Sequence, residues 1–523
     1  MKRAAFVVVA VASCALVRCA GAPPKAEEKQ TAPAPASAPA TPGSSGSGTS
    51  APAKVAEVAP EPVPASEQWR AAAPKPGAVP SLIIPTVQQA TLPNGLTILV
   101  SEQHQLPFVS VQAAIRAGAS LDPEGKAGLA GLVYEMLPEG AGKRDAVALA
   151  DAFGDLGCRL GASAGDDGGT LQFAVLSRNV DPAVALLAEV IQKPRFEAKD
   201  FDKRKKKVLA DLVRSLGEPM YLAFDAAAGE IFGAKHPYGH SADGTMASVS
   251  VLKVDDVKKF YAANVGPKTT ALVFAGDITL AEAKKVAQKH LGKWQGKAKP
   301  PKAPAAPSVG ARGKVVVVAK PGLEQTVLAA GRPAIARGDA DEWPLELATS
   351  VFGGMFTSRL NMNLREDKGI TYGAFGWLDA KCGVGLMGAG SPVDAKATGV
   401  AVKELFKEVD GMTSRPITDA EFAQARDNYL RSLPGMFETC ESLSGSIGNI
   451  FITAQPLDRW QRMAVALDKL KVEDVRAAAK KYYDPKLLKL VLVGDPTAIS
   501  EQIKDQNLGP IEVREPAIMA LPK

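Results

Sequence analysis

Two homologous α+β halves, each a mixed sheet covered by helices on one face, are what this sequence predicts. Two observations carry that expectation. The first is a repeat. Lys253-Val254-Asp255-Asp256-Val257 is matched by Lys471-Val472-Glu473-Asp474-Val475, Pro267-Lys268 by Pro485-Lys486, and Gly276-Asp277 by Gly494-Asp495. All three pairs are 218 positions apart (471 − 253, 485 − 267, 494 − 276), and Arg214-Ser215-Leu216 lies 217 before Arg431-Ser432-Leu433. A constant offset over several short matches marks an internal duplication. The second observation is that strand-like and helix-like periods interleave within a half, the pattern of sheets covered by helices.

The chain opens on an export signal. Lys2 and Arg3 precede a short apolar run from Ala4 to Ala12, too short to span a bilayer. Residues 1–19 therefore read as a signal or lipoprotein peptide, with Cys14 or Cys19 as the lipid-bearing cysteine. Cys14 follows small residues, and Cys19 lies nearer the polar stretch but after Arg18. Residues 20–85 are dominated by Ala, Pro, Ser, Gly, Thr, Lys and Glu. Such a composition buries no core and reads as a flexible tether with a reach of about 40 Å. Trp69, late in this stretch, is a candidate to dock on the body.

Residues 86–296 form the first half. Residues 96–100, 109–113 and 170–175 read as strands. Leu129, Leu132/Val133 and Met136/Leu137 keep a helical period, as do Val208/Leu209, Leu212/Val213 and Leu216. A further helix is expected over residues 182–191, with Asp181 as N-cap and Pro182 at its first position. The basic run from Lys203 to Lys207 reads as a solvated helix end. A second Pro/Ala/Lys-rich stretch, residues 297–312, separates this half from the other, residues 313–523.

Composition narrows the chemistry. The 523 residues carry a net charge of +6, with no basic patch interleaved with aromatics, so a nucleic-acid partner is not expected. Cys158, Cys382 and Cys440 are few, odd in number and far apart, which gives neither a disulfide framework nor a CxxC metal site. Of the four His, His104 sits beside a strand and His290 on a Lys-rich helix. His236 and His240 flank Pro237-Tyr238-Gly239 in a turn.

Two segments carry the functional argument. Residues 128–141 read Gly-Leu-Ala-Gly-Leu-Val-Tyr-Glu-Met-Leu-Pro-Glu-Gly-Ala. This resembles the active-site helix of the pitrilysin/insulinase metallopeptidases, G-L-A-H-x-x-E-H-M-L followed by E-G-T. The zinc-binding and general-base positions of H-x-x-E-H are Gly131, Tyr134 and Glu135 here, and the third ligand position falls at Asp211, 76 residues beyond Glu135 (211 − 135). Glycine offers no donor. A tyrosine with an ordinary pKa of about 10 is no general base near neutrality. Two carboxylates without an imidazole suit a weak hard-cation site better than zinc. Residues 353–373 read Gly-Gly-Met-Phe-Thr-Ser-Arg-Leu-Asn-Met-Asn-Leu-Arg-Glu-Asp-Lys-Gly-Ile-Thr-Tyr-Gly. They match that family's G-G-x-x-x-S-R-L-x-x-x-L-R-E-x-K-G-x-x-Y-G. The resemblance assigns Arg365 and Tyr372 to substrate binding, an Arg fork and a phenol being suited to carbonyl oxygens. Taken alone, Arg365 reads as a solvated helix end and Tyr372 as a strand packing residue.

The resemblance covers residues 86–515 and implies a non-catalytic, substrate-binding subunit of a heterodimeric zinc peptidase. It would hold no cofactor itself. Its expected partner is a homologous chain bearing H-x-x-E-H and the zinc, the two closing as a clamshell on an unfolded peptide in the cell envelope or periplasm. Its only tie to the membrane would be the lipid anchor. The alternatives are a peptide-binding or scaffold protein of the same fold and, third, a remodelled hydrolase using Glu135 and Asp211.

Overall fold

The computed structural model describes residues 65–70, Gly77 and 83–516. The signal segment, Cys14, Cys19 and most of the Ala/Pro-rich stretch lie outside the described residues. Ala65–Arg70 is a short 3₁₀ helix on which Trp69 is exposed. It belongs to a compact unit separate from the body.

The body contains two six-stranded sheets and one short ribbon. The strands, in chain order, are β1 (Gln88–Thr91), β2 (Thr97–Glu102), β3 (Phe108–Ile115), β4 (Gly140–Ala141), β5 (Arg144–Asp145), β6 (Gly161–Ala164), β7 (Gly169–Leu176), β8 (Thr270–Gly276), β9 (Val315–Ala319), β10 (Gln325–Pro333), β11 (Phe375–Asp379), β12 (Leu386–Asp394), β13 (Lys489–Gly494) and β14 (Ile511–Arg514). The first sheet runs β1-β2-β8-β3-β7-β6 and the second β14-β9-β13-β10-β12-β11, while β4 and β5 form the ribbon. Five strands correspond one to one. In each half a parallel pair (β2 with β8, β9 with β13) is followed by three antiparallel pairings. The sixth differs. β1 pairs antiparallel from the strand's own hairpin, whereas β14 arrives from the far end of the chain and pairs parallel.

The repeated sequences fall on repeated elements. Helices Val254–Asn264 and Val472–Tyr482 begin 218 residues apart (472 − 254), and β8 and β13 end on Gly276 and Gly494. The two Arg-Ser-Leu matches close helices Ala198–Ser215 and Asp419–Ser432.

Each sheet carries its own half's helices on one face. On the other face, the halves exchange a helix. Pro219–Phe232 lies on β10 and β13 of the second half, while Cys440–Ile452 lies on β3 and β8 of the first. Strand alternation leaves each sheet a second apolar face that needs cover. Val316, Val318, Val327, Val491 and Val493 cluster with Leu222, Ala223, Ala227 and Ile231. Leu99, Ala114, Ala271, Val273 and Ala275 cluster with Leu443, Ile447 and Ile450. Strands buried on both faces read as continuous apolar runs, as β8 and β9 do. Polar seams register the exchange. Ser110 and Ser444 hydroxyls lie 2.8 Å apart, and Gln172 Nε2 donates to Ser444 Oγ at 3.0 Å. Arg116 Nε donates to Phe451 O at 2.8 Å while its guanidinium lies over the Phe451 ring.

Two sequence expectations need correcting. The helix expected over 182–191 spans Val180–Gln192, and its N-cap is Asn179. Asp181 instead sits in the first turn and holds Lys289 and His290 across the gap to helix Leu280–Leu291. The Lys203–Lys207 run is not a helix end but the middle of Ala198–Ser215. Part of it is structural: Lys205 Nζ donates to Ser250 O (2.6 Å) and Leu252 O (2.9 Å), and Arg204 pairs with the buried Glu139. Residues 297–312 run without helix or strand. His236, 2.9 Å from Ala305 O through Nε2, ties them to the body.

Candidate functional site

Helix Leu129–Met136 presents Leu129, Leu132, Val133 and Met136 to the first-half core. Its N-terminus is capped from a distance: Gly128 N and Ala130 N each donate to the Asp122 carboxylate at 2.8 Å. Burial pushes Asp122 up to about 7, although those same backbone donors favour its charged form. The frame of an active-site helix is thus built in full.

Its functional positions are occupied by packing. A Cβ on Gly131 would lie 3.0 Å from Ala242 O, so the loop after His240 closes over the helix where a side chain would project. Tyr134 is fully buried and donates its hydroxyl to Ala117 O at 2.9 Å. Gly169 of β7 passes so close to the Tyr134 ring that any Cβ there would overlap it. Glu135 is half-buried. Burial raises its pKa, Lys207 and Arg204 oppose the shift, and Asp243 and Asp211 add to it. Its Oε2 is buried without a hydrogen-bond partner. Asp211 holds Lys207 at 2.8 Å through one oxygen and Arg214 at 2.7 Å through the other.

This donor set does not fit a zinc ion. A catalytic zinc takes three protein ligands and keeps a position open. Of the three ligand positions, Gly131 has no donor, Glu135 offers a single carboxylate, and the Asp211 carboxylate is neutralised by two cations; the general-base position holds a hydroxyl committed to a backbone carbonyl in the core. Among the described residues no group of three or more His, Cys, Asp or Glu is placed to hold a metal. The remaining His are engaged elsewhere. His104 Nδ1 is 2.8 Å from Asp277, and His236 accepts from Tyr238 N.

The second-half segment is arranged differently. After Gly354 the chain makes a short helical turn whose first residue, Arg359, is an anchor. Its guanidinium donates to both Glu421 oxygens (2.7 and 2.9 Å) and to the carbonyls of Gly411 and Arg415. Leu360 and Leu364 fill the second core. Asn361 donates to Phe356 O (2.7 Å) and accepts from Ala374 N (3.0 Å), and Asn363 donates to Glu404 and Glu408. Thr371 Oγ1 donates to Pro392 O at 2.6 Å. The loop between them is therefore pinned at both ends, with Gly369 at φ +64° making the turn.

On this platform Tyr372 faces outward and Arg365 is half-buried. Tyr372 is 89% exposed, which rules out the strand-packing role that it suggests when taken alone. The Arg365 guanidinium lies 4.5 Å over the Phe356 ring, and its Nε is 3.4 Å from Glu366. Phe356 is itself 59% exposed. The segment thus presents a stacked guanidinium at Arg365 and two exposed aromatic rings, Phe356 and Tyr372. Arg359, Asn361, Asn363 and Thr371 are the positioning residues that sequence reasoning passed over. Their only signal was membership of the matched segment.

The comparisons with known proteins agree with this division. The family model of insulinase, peptidase family M16, matches residues 97–228, and that of the peptidase M16 inactive domain matches residues 252–429. The chain is 25% identical over 415 residues to the non-peptidase homolog YmxG of Helicobacter pylori, covering 78% of this chain and 93% of that one. It is 22% identical over 402 residues to an uncharacterized zinc protease of Streptomyces coelicolor, covering 76% and 87%. A crystal structure of a peptidase M16 inactive domain from Pseudomonas fluorescens superposes with a TM-score of 0.72 at 26% identity, covering 78% of this chain and 98% of that one. The chain belongs to peptidase family M16. The matches to the inactive domain and to the non-peptidase homolog, together with its filled motif positions, place it with the family's non-catalytic members.

Proposed function

We propose that this chain is the substrate-binding, non-catalytic subunit of a two-chain M16 peptidase. Its partner is a homologous chain that carries H-x-x-E-H and the zinc. The observation that supports this most directly is the contrast between the two matched segments. Where the family's first metal ligand would stand, Gly131 has no side chain and Ala242 O closes over it, and at the general-base position Tyr134 is sealed in the core. Where its substrate-binding pair would stand, Tyr372 projects into solvent from a stapled platform and Arg365 lies half-exposed over Phe356. A large aromatic held in water on a rigid support is costly for stability alone and useful for binding. Arg365 would hold carbonyl oxygens of an extended, unfolded peptide, and Tyr372 would donate its hydroxyl to the oxygen that becomes charged when the partner's water attacks. The two chains would close as a clamshell around the peptide. Export, and a lipid on Cys14 or Cys19, would place the complex in the cell envelope at the end of a flexible tether.

Reconstitution with an H-x-x-E-H-bearing homologue from the same cell envelope tests this. Cleavage of an unstructured casein fragment should need both chains. It should fall by about two orders of magnitude or more with Arg365→Ala or Tyr372→Ala in this chain, the scale set by loss of one charge-stabilising donor. Full activity with both variants sinks the shared site. Absence of any complex favours the scaffold alternative.

A further inference from the structure

The exchanged helix Pro219–Phe232 does not seal completely on the second sheet. Between them lies an apolar cavity of about 510 Å³, walled by Phe224, Ala228 and Ile231 of the helix and by Phe375, Trp377 and Leu386 of the sheet. Small residues make the space. Gly390 passes beneath Phe224, Gly331 beneath Ile231, and Gly388 beneath the Trp377 indole, where a Cβ would sit 2.5 Å from the ring. The rings of Phe224, Phe375 and Trp377 cluster at 5.1–6.1 Å between centroids. Phe224, Phe375, Trp377 and Leu386 are all only half-buried, so the cavity has a mouth.

Every one of these wall residues is apolar, so the cavity recognises by buried area alone and excludes charge through desolvation. Its volume is within the range of small-ligand sites, about 300–1,000 Å³. Its position supplies the occupant. Phe375 follows Tyr372 by three residues (375 − 372), a chain distance of at most about 11 Å. A peptide backbone lying at Tyr372 is therefore within a few residues' reach of the mouth.

We propose that this cavity is a specificity pocket for one bulky apolar side chain (Leu, Met or Phe) of the extended peptide held at Arg365 and Tyr372. The inference rests on the peptide-binding reading of that pair. It predicts a subunit that selects segments exposing a core residue, which is a feature of unfolded chains.

The test uses the exported chain without its signal segment and two peptide-like probes, with hexadecanoate as a third, lipid-like one. One is a labelled twelve-residue Gly/Ser peptide, alone or with a single Phe at each position in turn, read by fluorescence anisotropy. The other is N-acetyl-phenylalaninamide. A Phe at one or two positions should tighten binding about ten- to hundredfold over the Gly/Ser host, the worth of burying one such side chain. Ala228→Phe, which fills the cavity, should abolish that gain and leave host binding unchanged. Trp377→Gln, which puts an amide in the wall, should do the same and serves if the first variant misfolds. Arg365→Ala should weaken host and Phe peptides by the same factor. A Phe preference that survives both pocket variants overturns the proposal. So does hexadecanoate binding that both variants abolish while the peptides show no preference. Binding of N-acetyl-phenylalaninamide, lost in Ala228→Phe, with no peptide bound at all, would remove the peptide-subunit reading and leave an apolar site. Peptide binding untouched by either pocket variant would remove the site and leave that reading.

Discussion

If the old catalytic helix is now core, Tyr134 should behave as a core residue. Its ring is fully buried between the helix and β7, and its hydroxyl meets Ala117 O at 2.9 Å. Tyr134→Phe keeps the ring and leaves one carbonyl without its donor, at a cost of about 1 kcal/mol. Tyr134→Ala removes the ring from a site whose walls are strand and helix backbone, with Gly169 pressed against it. Poor collapse there puts the cost at about 3–5 kcal/mol, a large part of a typical total of about 5–15 kcal/mol. Tyr134→Glu, which restores the family's residue, adds a buried carboxylate to the same lost packing and should cost more than the alanine. Urea denaturation followed by circular dichroism and by fluorescence reads all three. The order Phe, Ala, Glu of increasing damage is expected. A Tyr134→Glu chain as stable as the parent would refute the reasoning. So would stoichiometric zinc in the triple variant Gly131→His, Tyr134→Glu, Glu135→His.

Three further outcomes follow from the same structure. Burial pushes Glu346 up to about 7, with Arg337 and Arg459 only partly opposing. The unfolded chain releases this proton near 4.5, so the folded state loses stability as pH rises from about 4.5 to 7. Glu346→Gln should raise the urea midpoint at pH 8 and leave it unchanged at pH 4. Gly448, on the helix given to the first sheet, faces Gln112 and Ala114 so closely that a Cβ would overlap the Gln112 amide. Gly448→Leu should cost about 1–3 kcal/mol through overpacking, and a neutral result in thermal unfolding would contradict the close approach. Arg365→Ala and Tyr372→Ala should each leave the urea midpoint within about 0.5 kcal/mol of the parent, as exposed positions do, while lowering partner-dependent cleavage.

The sequence carried the duplication because offset is a property of the chain, and the matches fall on paired elements such as Val254–Asn264 and Val472–Tyr482. It carried three of the six strands of the first sheet through their period, with ends shifted by one or two residues. It did not carry the helix exchange. The apolar face of Pro219–Phe232 shows that something is covered, but not whose sheet, and only three-dimensional packing settles that. The same limit hid the cavity, whose walls come from residues more than 150 positions apart (375 − 224). At the degenerate motif, chemistry alone showed that Gly131 and Tyr134 were poor zinc-site residues. That Ala242 and Ala117 now occupy their reach needed coordinates. Tyr372 read without the matched segment suggests packing, as an aromatic after a helix turn usually packs, and this one stands in solvent.

The central claim, a chain without zinc chemistry that completes a partner's site, is tested most directly by one preparation. The exported chain is isolated from its own envelope with whatever it binds, and the proteins and metal are quantified before and after the chains are separated. A stoichiometric homologue bearing H-x-x-E-H, one zinc per complex, and none on this chain once separated are the expected results. Zinc retained by the isolated chain, or a complex in which no such homologue appears, would contradict it.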